Sequence, residues 1–191
     1  MYERAPGELG MTPADYRRSG KGLRITYTVV GSVLGRLLVA ASEKGVCAVR
    51  LGDSDAALEA GLLSEYRAAE IHRDDQALSQ WVEQLSDHLN GERPHVDLPL
   101  DVQATAFQWR VWEELRKIPY GSTRSYSDVA RAIGRPTATR AVARAIATNP
   151  VAIVIPCHRV IREDKTLGGY RWGVERKRVL LERERSTGAK S

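Results

Sequence analysis

Between residues 23 and 51, apolar and polar positions alternate in three short runs, at 23–30, 34–41 and 46–51. Period-two alternation rich in β-branched side chains predicts half-buried strands. The separators Gly31-Ser32 and Glu43-Lys44-Gly45 are turn material, so the three runs predict an antiparallel meander. The period then changes. Residues 53–66 and 75–89 read as helices; in the second, Leu78, Trp81, Val82, Leu85 and Leu89 recur at three- and four-residue spacing, and Asn90-Gly91 ends it. Residues 96–102 read as a further strand.

From residue 104 the pattern is mainly helical. Residues 106–116 are amphipathic, with Phe107, Val111, Leu115 and Ile118 on one side and Trp112 beside them, and Pro119-Tyr120-Gly121 stops the helix. Ser125 caps the next helix, with Asp128 three residues on in the capping-box position, and the helix runs through Val129, Ala130, Ala132 and Ile133 to Gly134. Arg135-Pro136 makes a turn, and Thr137 starts another helix that runs through Thr148. Two short helices joined by a Gly-containing turn read as a helix-turn-helix. Its second helix offers few side chains of the kind that read base edges in a major groove. Ala138, Thr139, Ala141 and Ala143 are small, and with Arg140 and Arg144 they suit close approach to a narrow groove, where Arg140 is free to enter a gap in the base stack. An alanine-rich core helix is the alternative.

Residues 151–155, Val-Ala-Ile-Val-Ile, have no helical period and are bracketed by Pro150 and Pro156. They predict a short buried extended segment that delivers Cys157 at its end with His158 beside it. The Cys-His pair alone leaves an inert core thiol open as a reading. At the other end of the chain, residues 1–22 are polar and turn-rich, and Thr12 with Pro13 marks a short helix start.

Composition changes the picture in one respect. The formal charge of +5 is unevenly spread: residues 1–103 carry 11 Lys+Arg against 16 Asp+Glu, net −5, and residues 104–191 carry 18 against 8, net +10. The second half is thus the candidate polyanion-binding half, a solvated basic surface being the plainer reading. Apolar stretches fall short of the ~20 residues a spanning helix needs, and the charged N-terminus lacks the apolar core of a signal peptide. A monomeric cytoplasmic protein without membrane contact is expected. Two cysteines, Cys47 and Cys157, encode neither a disulfide framework nor a cysteine-rich zinc site. Cys47 reads as a core filler, His72 and His88 as surface residues, and His95 as a loop residue beside Pro94. No histidine has ligand-like spacing to a cysteine, so no metal and no cofactor is assigned.

Pro156-Cys157-His158-Arg159-Val160, preceded by Asn149-Pro150 and by the helix-turn-helix, resembles the O6-alkylguanine-DNA alkyltransferases. The likeness covers roughly residues 23–184 and is strongest from Phe107 onward. Gly169-Tyr170-Arg171-Trp172-Gly173 and the helix ending Leu180-Leu181-Glu182-Arg183-Glu184 are similar to the Ada subtype, and Gly10-Met11-Thr12-Pro13 resembles the close of an AraC-type DNA-binding domain. The resemblance implies an α/β N-terminal domain with a ribonuclease H-like antiparallel sheet, then a mainly α-helical domain that contains the helix-turn-helix and binds the DNA minor groove. The boundaries it suggests are 1–22, 23–103 and 104–191.

The resemblance also implies roles. Cys157 would accept the methyl group, His158 would link to it through a water, and Glu184 would orient His158. Asn149 would brace the turn, and Tyr126 would assist base flipping and protonation. Arg140 would fill the space left in the duplex, flanked by Ala138, Thr139, Ala141, Ala143 and Arg144. Tyr170 and Arg171 would line the base pocket. The implied activity is single-turnover transfer from O6-methylguanine, and from O4-methylthymine, in double-stranded DNA carrying alkylated bases. A DNA-binding regulatory module without repair activity stays open, and a papain-like Cys-His hydrolase is disfavoured because its two residues are normally far apart in sequence.

Overall fold

The structure is a computed structural model that describes residues 22–188. The Thr12-Pro13 helix start and the AraC-like segment lie outside the described residues. The meander forms as the alternation predicts: β1 (Arg24–Ser32), β2 (Gly35–Ser42) and β3 (Gly45–Gly52) pair antiparallel, with Val29 opposite Leu38 and Val39 opposite Val49. Alternation sorts β2 into two apolar faces. Leu38 and Ala40 pack with Ile25, Cys47 and Ala48 under Leu58, Leu62 and Tyr66, so helix α1 (Asp55–Glu65), capped by Ser54, covers that face. Leu37, Val39 and Ala41 face the other way into a core shared with the second half of the chain. Cys47 is fully buried, as its apolar neighbours suggest, and burial pushes its thiol up to about 12.

A fourth strand, β4 (Glu70–Arg73), pairs parallel with β1 and makes the sheet mixed, in the order β3-β2-β1-β4. Its sequence gave no strand signal because Glu-Ile-His-Arg sits at an edge with no buried face. Residues 96–102 do not form a strand. Only Leu100 bridges to Val46, with Val46 N–H donating to the Pro99 carbonyl (2.8 Å) and Asp101 N–H to the Val46 carbonyl (2.9 Å). Pro99 brings no donor of its own. The close approach also requires Gly45, where φ is +150° and a Cβ would lie 2.5 Å from the Pro99 oxygen.

Helix α2 (Ser79–Asn90) begins four residues later than expected, because the Asp74 side chain accepts from Gln76 N–H and Ala77 N–H and fixes a turn first. Gly91, at φ 85°, ends it as a left-handed cap. His88 is not a surface residue: it is 4% exposed, its Nδ1 lies 2.7 Å from the Arg93 carbonyl oxygen, and its ring meets Tyr120 edge-on. Helical spacing puts it on the same face as Leu85 and Leu89.

The second half contains α3 (Ala106–Arg116), β5 (Arg124–Ser125), α4 (Tyr126–Ala132), α5 (Thr139–Ala147), β6 (Val160–Ile161) and α6 (Val174–Gly188). Capping boxes at Thr105–Gln108 and Ser125–Asp128 start α3 and α4, the second as its sequence predicts. Buried Trp112 donates from Nε1 to the Ala145 carbonyl (2.8 Å) and ties α3 to α5. Among the described residues no helix is long and apolar enough to cross a membrane.

Candidate active site

The stretch 151–155 is buried as predicted but is not extended. Only Val151 bridges to β3, through Val49 N–H to the Pro150 carbonyl and Ala152 N–H to the Val49 carbonyl, each 3.0 Å. The chain then turns through Ile153, whose φ of 74° is a rare and strained conformation for a β-branched residue. Ile155 N–H donates back to the Val151 carbonyl. Asn149 holds this turn closed from within. Its Oδ1 accepts from Val151 N–H (3.0 Å), and its Nδ2 donates to the Ile155 carbonyl (2.9 Å) and to Cys157 Sγ (3.2 Å). The β-branched residues reflect burial on all sides rather than a strand, and the asparagine side chain supplies bonds that a sheet would otherwise provide.

Cys157 opens a single 3-10 turn, Cys157–Arg159, and is 4% exposed. Burial raises its thiol above the ordinary range, opposed by the Asn149 hydrogen bond and the nearby Lys177 charge. His158 is fully buried, with Nε2 2.7 Å from Glu184 Oε1, and its Nδ1 has no protein partner. Burial lowers its basicity, partly offset by Glu184. Glu184 lies on α6. Burial pushes its carboxyl up, but the hydrogen bonds and charges of His158 and Arg159 outweigh this and hold it down at about 2. A carboxylate facing Nε2 selects the tautomer with the proton on Nε2 and a free lone pair on Nδ1.

β5 and β6 pair in parallel, Ser125 beside Ile161, and so bring Tyr126 at the start of α4 towards the cysteine. The Tyr126 hydroxyl stands where a Cβ on Gly168 would come within 3.1 Å, and Gly168 has φ +67°; both observations call for glycine there. Burial raises Tyr126 and Tyr170 above the ordinary phenol range, with the Cys157 charge adding to both. Arg171 donates to the Asn149 carbonyl (3.4 Å) and lies over the Trp172 ring. The structure thus gathers Cys157, Asn149, Tyr126, Tyr170 and Arg171 around one thiol, with His158 and Glu184 adjoining. Ala138, the N-cap of α5, and Thr139, Arg140, Ala141, Ala143 and Arg144 on it are half-buried or exposed, while Val142, Ala145 and Ile146 form its buried side. Among the described residues Arg140 and Arg144 make no ion pair, and both are exposed on the small-residue face of the helix.

Two residues of the site carry no signal of their own in the sequence reading. Arg159, 4% exposed, forks onto Glu184. Lys177, fully buried, donates from Nζ to the carbonyls of Val160 (2.6 Å), Leu167 (2.5 Å) and Gly169 (3.3 Å), pinning the segment before Tyr170. Burial lowers Lys177 to about 8. A cavity of about 230 Å³ lies behind the cysteine turn, between Ile153, Val154 and Pro156 and the His88–Arg116 side. Among the described residues no three His, Cys, Asp or Glu side chains are grouped to hold a metal ion.

Residues 25–102 match the family described as 6-O-methylguanine DNA methyltransferase, ribonuclease-like domain, and residues 106–186 match its DNA binding domain. The chain is 49% identical over 183 residues to the bifunctional transcriptional activator/DNA repair enzyme Ada of Escherichia coli (strain K12), covering 96% of this chain and 52% of that protein. It thus spans about half the length of the Ada proteins it matches. It is 41% identical over 164 residues to a methylated-DNA–protein-cysteine methyltransferase of Mycobacterium bovis, covering 85% of this chain and 93% of the relative. Among solved structures, Mycobacterium tuberculosis OGT in complex with DNA superposes with a TM-score of 0.73 at 39% identity, over 85% of this chain and 94% of that one. With both halves matched and a relative covered nearly end to end, the chain belongs to the O6-methylguanine-DNA methyltransferase family, the enzyme class of the methylated-DNA–protein-cysteine methyltransferases.

Proposed function

We propose that this chain repairs DNA by moving one methyl group from O6-methylguanine, and from O4-methylthymine, onto Cys157, in a single irreversible turnover. The observation that carries this reading is the buried Cys157–His158–Glu184 sequence of groups, with His158 Nε2 2.7 Å from Glu184 and Nδ1 left free. A thiol is a weak nucleophile until it loses its proton, and the Cys157 thiol is held above its ordinary range. His158 Nδ1 accepts that proton through a water, and Glu184 stabilises the imidazolium that forms. Sγ then bonds to the methyl carbon as the carbon–O6 bond breaks, the electron pair staying with guanine. Tyr126 donates a proton towards N3, which balances the proton taken from sulfur. The thioether has no easy hydrolysis, so the protein is consumed.

A base inside a duplex must leave the stack before Cys157 reaches it, at a cost of a few kcal/mol. In this reading α5 enters the minor groove with its small residues, Arg140 fills the vacated space and Arg144 contacts the backbone. Tyr170 and Arg171 line the pocket for the flipped base, and Asn149 keeps the turn and the thiol in place. Residues 23–103 and 104–191 act as the supporting and DNA-binding domains of a cytoplasmic monomer. The Mycobacterium tuberculosis neighbour was solved with DNA, which supports DNA as the partner.

The test is transfer from a labelled duplex carrying O6-methylguanine. Uptake should stop at one methyl per protein, and Cys157→Ala should take up none. Repeated turnover, or uptake by the alanine variant, would refute the reading. Tight binding of an unmodified site with no methyl uptake would favour a regulatory module instead.

A further inference from the structure

The Glu184 carboxylate is shared. Besides the His158 contact, it accepts from Arg159 Nε (3.0 Å) and Nη2 (3.0 Å) and from the Gly121 backbone N–H (3.1 Å). Arg159 is itself held rigidly: Nη1 donates to the Ile118 carbonyl (2.8 Å), and its guanidinium lies 5.5 Å from the Tyr120 ring centroid. A guanidinium buried at 4% exposure is costly unless its charge and donors are matched. A carboxylate paired with an imidazole alone draws a proton onto the imidazole. An imidazolium at rest could not take the proton of Cys157.

We propose that Arg159 is a positioning residue for the alkyl transfer, dividing the Glu184 carboxylate with His158 so that the imidazole stays neutral and aligned, with Nδ1 free for the thiol proton. This rests on the transfer reading above. The charged and titratable groups that act on His158 are Glu184 and Lys177 from α6, Arg159 from its own turn and, through its charge, His88 from α2; Cys157 precedes it in the chain. Arg159 and Lys177 both oppose an imidazolium, and Glu184 favours one. Of the two cations, Arg159 alone also bonds to the carboxylate. It therefore acts on both the charge and the orientation of the pair.

The test is the pH dependence of the single-turnover rate constant for methyl transfer in the full chain, with Arg159→Gln and Arg159→Lys beside the unmodified protein and thermal melts of each. In Arg159→Gln the charge is gone, His158 holds its proton to higher pH, and the acid limb of the profile should move up by about one pH unit. In Arg159→Lys the charge stays but the fork is lost, so the limb should hold its place while the rate constant falls roughly tenfold or more. An Arg159→Gln limb that coincides with the unmodified one, whatever the melting temperature, overturns the proposal, as does an Arg159→Lys protein at full rate. If Arg159→Gln gives no cooperative melt, the lysine variant decides. Failure of the unmodified chain to transfer, or transfer by Cys157→Ala, would instead sink the underlying reading.

Discussion

Asn149 uses both ends of its amide inside the turn that presents Cys157. Asn149→Ala leaves the buried Val151 N–H unmatched and the Ile155 carbonyl with only the Cys157 N–H, which should lower the unfolding free energy by about 1–3 kcal/mol in urea titrations at neutral pH. Glu184 gives a second prediction. Its carboxyl sits at about 2 in the fold against an ordinary value of 4.5, so the folded state favours the ionised form. A depressed carboxyl contributes stability that is fully present above the unfolded value and is lost as pH falls through the folded one. Urea stability should therefore decline between about pH 4.5 and about pH 2, and Glu184→Gln should flatten that decline. Cys157 with His158 was legible at the end of its apolar run, and the parts of Asn149 and Glu184 only through the family resemblance. Arg159, though inside the same five-residue motif, and Lys177 were given no role, since charged side chains default to the surface. The spacing Lys177, Leu180, Leu181, Glu184 nonetheless repeats a buried helical face, and all four are buried.

Among the elements, the largest departure is the turn at 151–155. Period and composition mark it as buried, but burial on all sides looks the same in a strand and in a turn braced by an asparagine side chain. The strained Ile153, at φ 74°, has no sequence marker, since a β-branched residue is not one that favours this conformation. β4 was hidden for the opposite reason, having no buried face to leave a pattern. The first helix of the helix-turn-helix was legible from its Ser125–Asp128 cap, whereas α5 starts at Thr139, two residues after the expected Thr137, and has no side-chain cap. The α5 face gives a prediction at this scale: Arg140 is exposed and has no ion pair among the described residues, so Arg140→Ala should leave the fold and melting temperature unchanged. The same variant should slow methyl transfer from duplex DNA by tenfold or more, with transfer from the free O6-methylguanine base unaffected. Equal slowing on both substrates would remove Arg140 from the flipping step.

In the whole molecule, the two halves share one core. The Leu37, Val39 and Ala41 face of the sheet meets the helical half, and the β3 edge bonds directly to the cysteine turn at Val151. Arg176 adds a further tie, donating to the carbonyls of Leu34 and Trp172. Composition showed two halves of opposite charge, but which faces meet is a tertiary choice that alternation leaves open. The uneven charge predicts salt-dependent binding that varies little with sequence, log K falling by ~0.9 per log unit of salt for each phosphate neutralised. Filter-binding or anisotropy titrations across salt concentrations check it. The central claim, that Cys157 is the methyl acceptor, is tested most directly by intact mass before and after incubation with an O6-methylguanine duplex, followed by peptide mapping. The account predicts a gain of one methyl in place of one hydrogen, located on Cys157. No gain, or a gain located on Cys47 or any other residue, would contradict it.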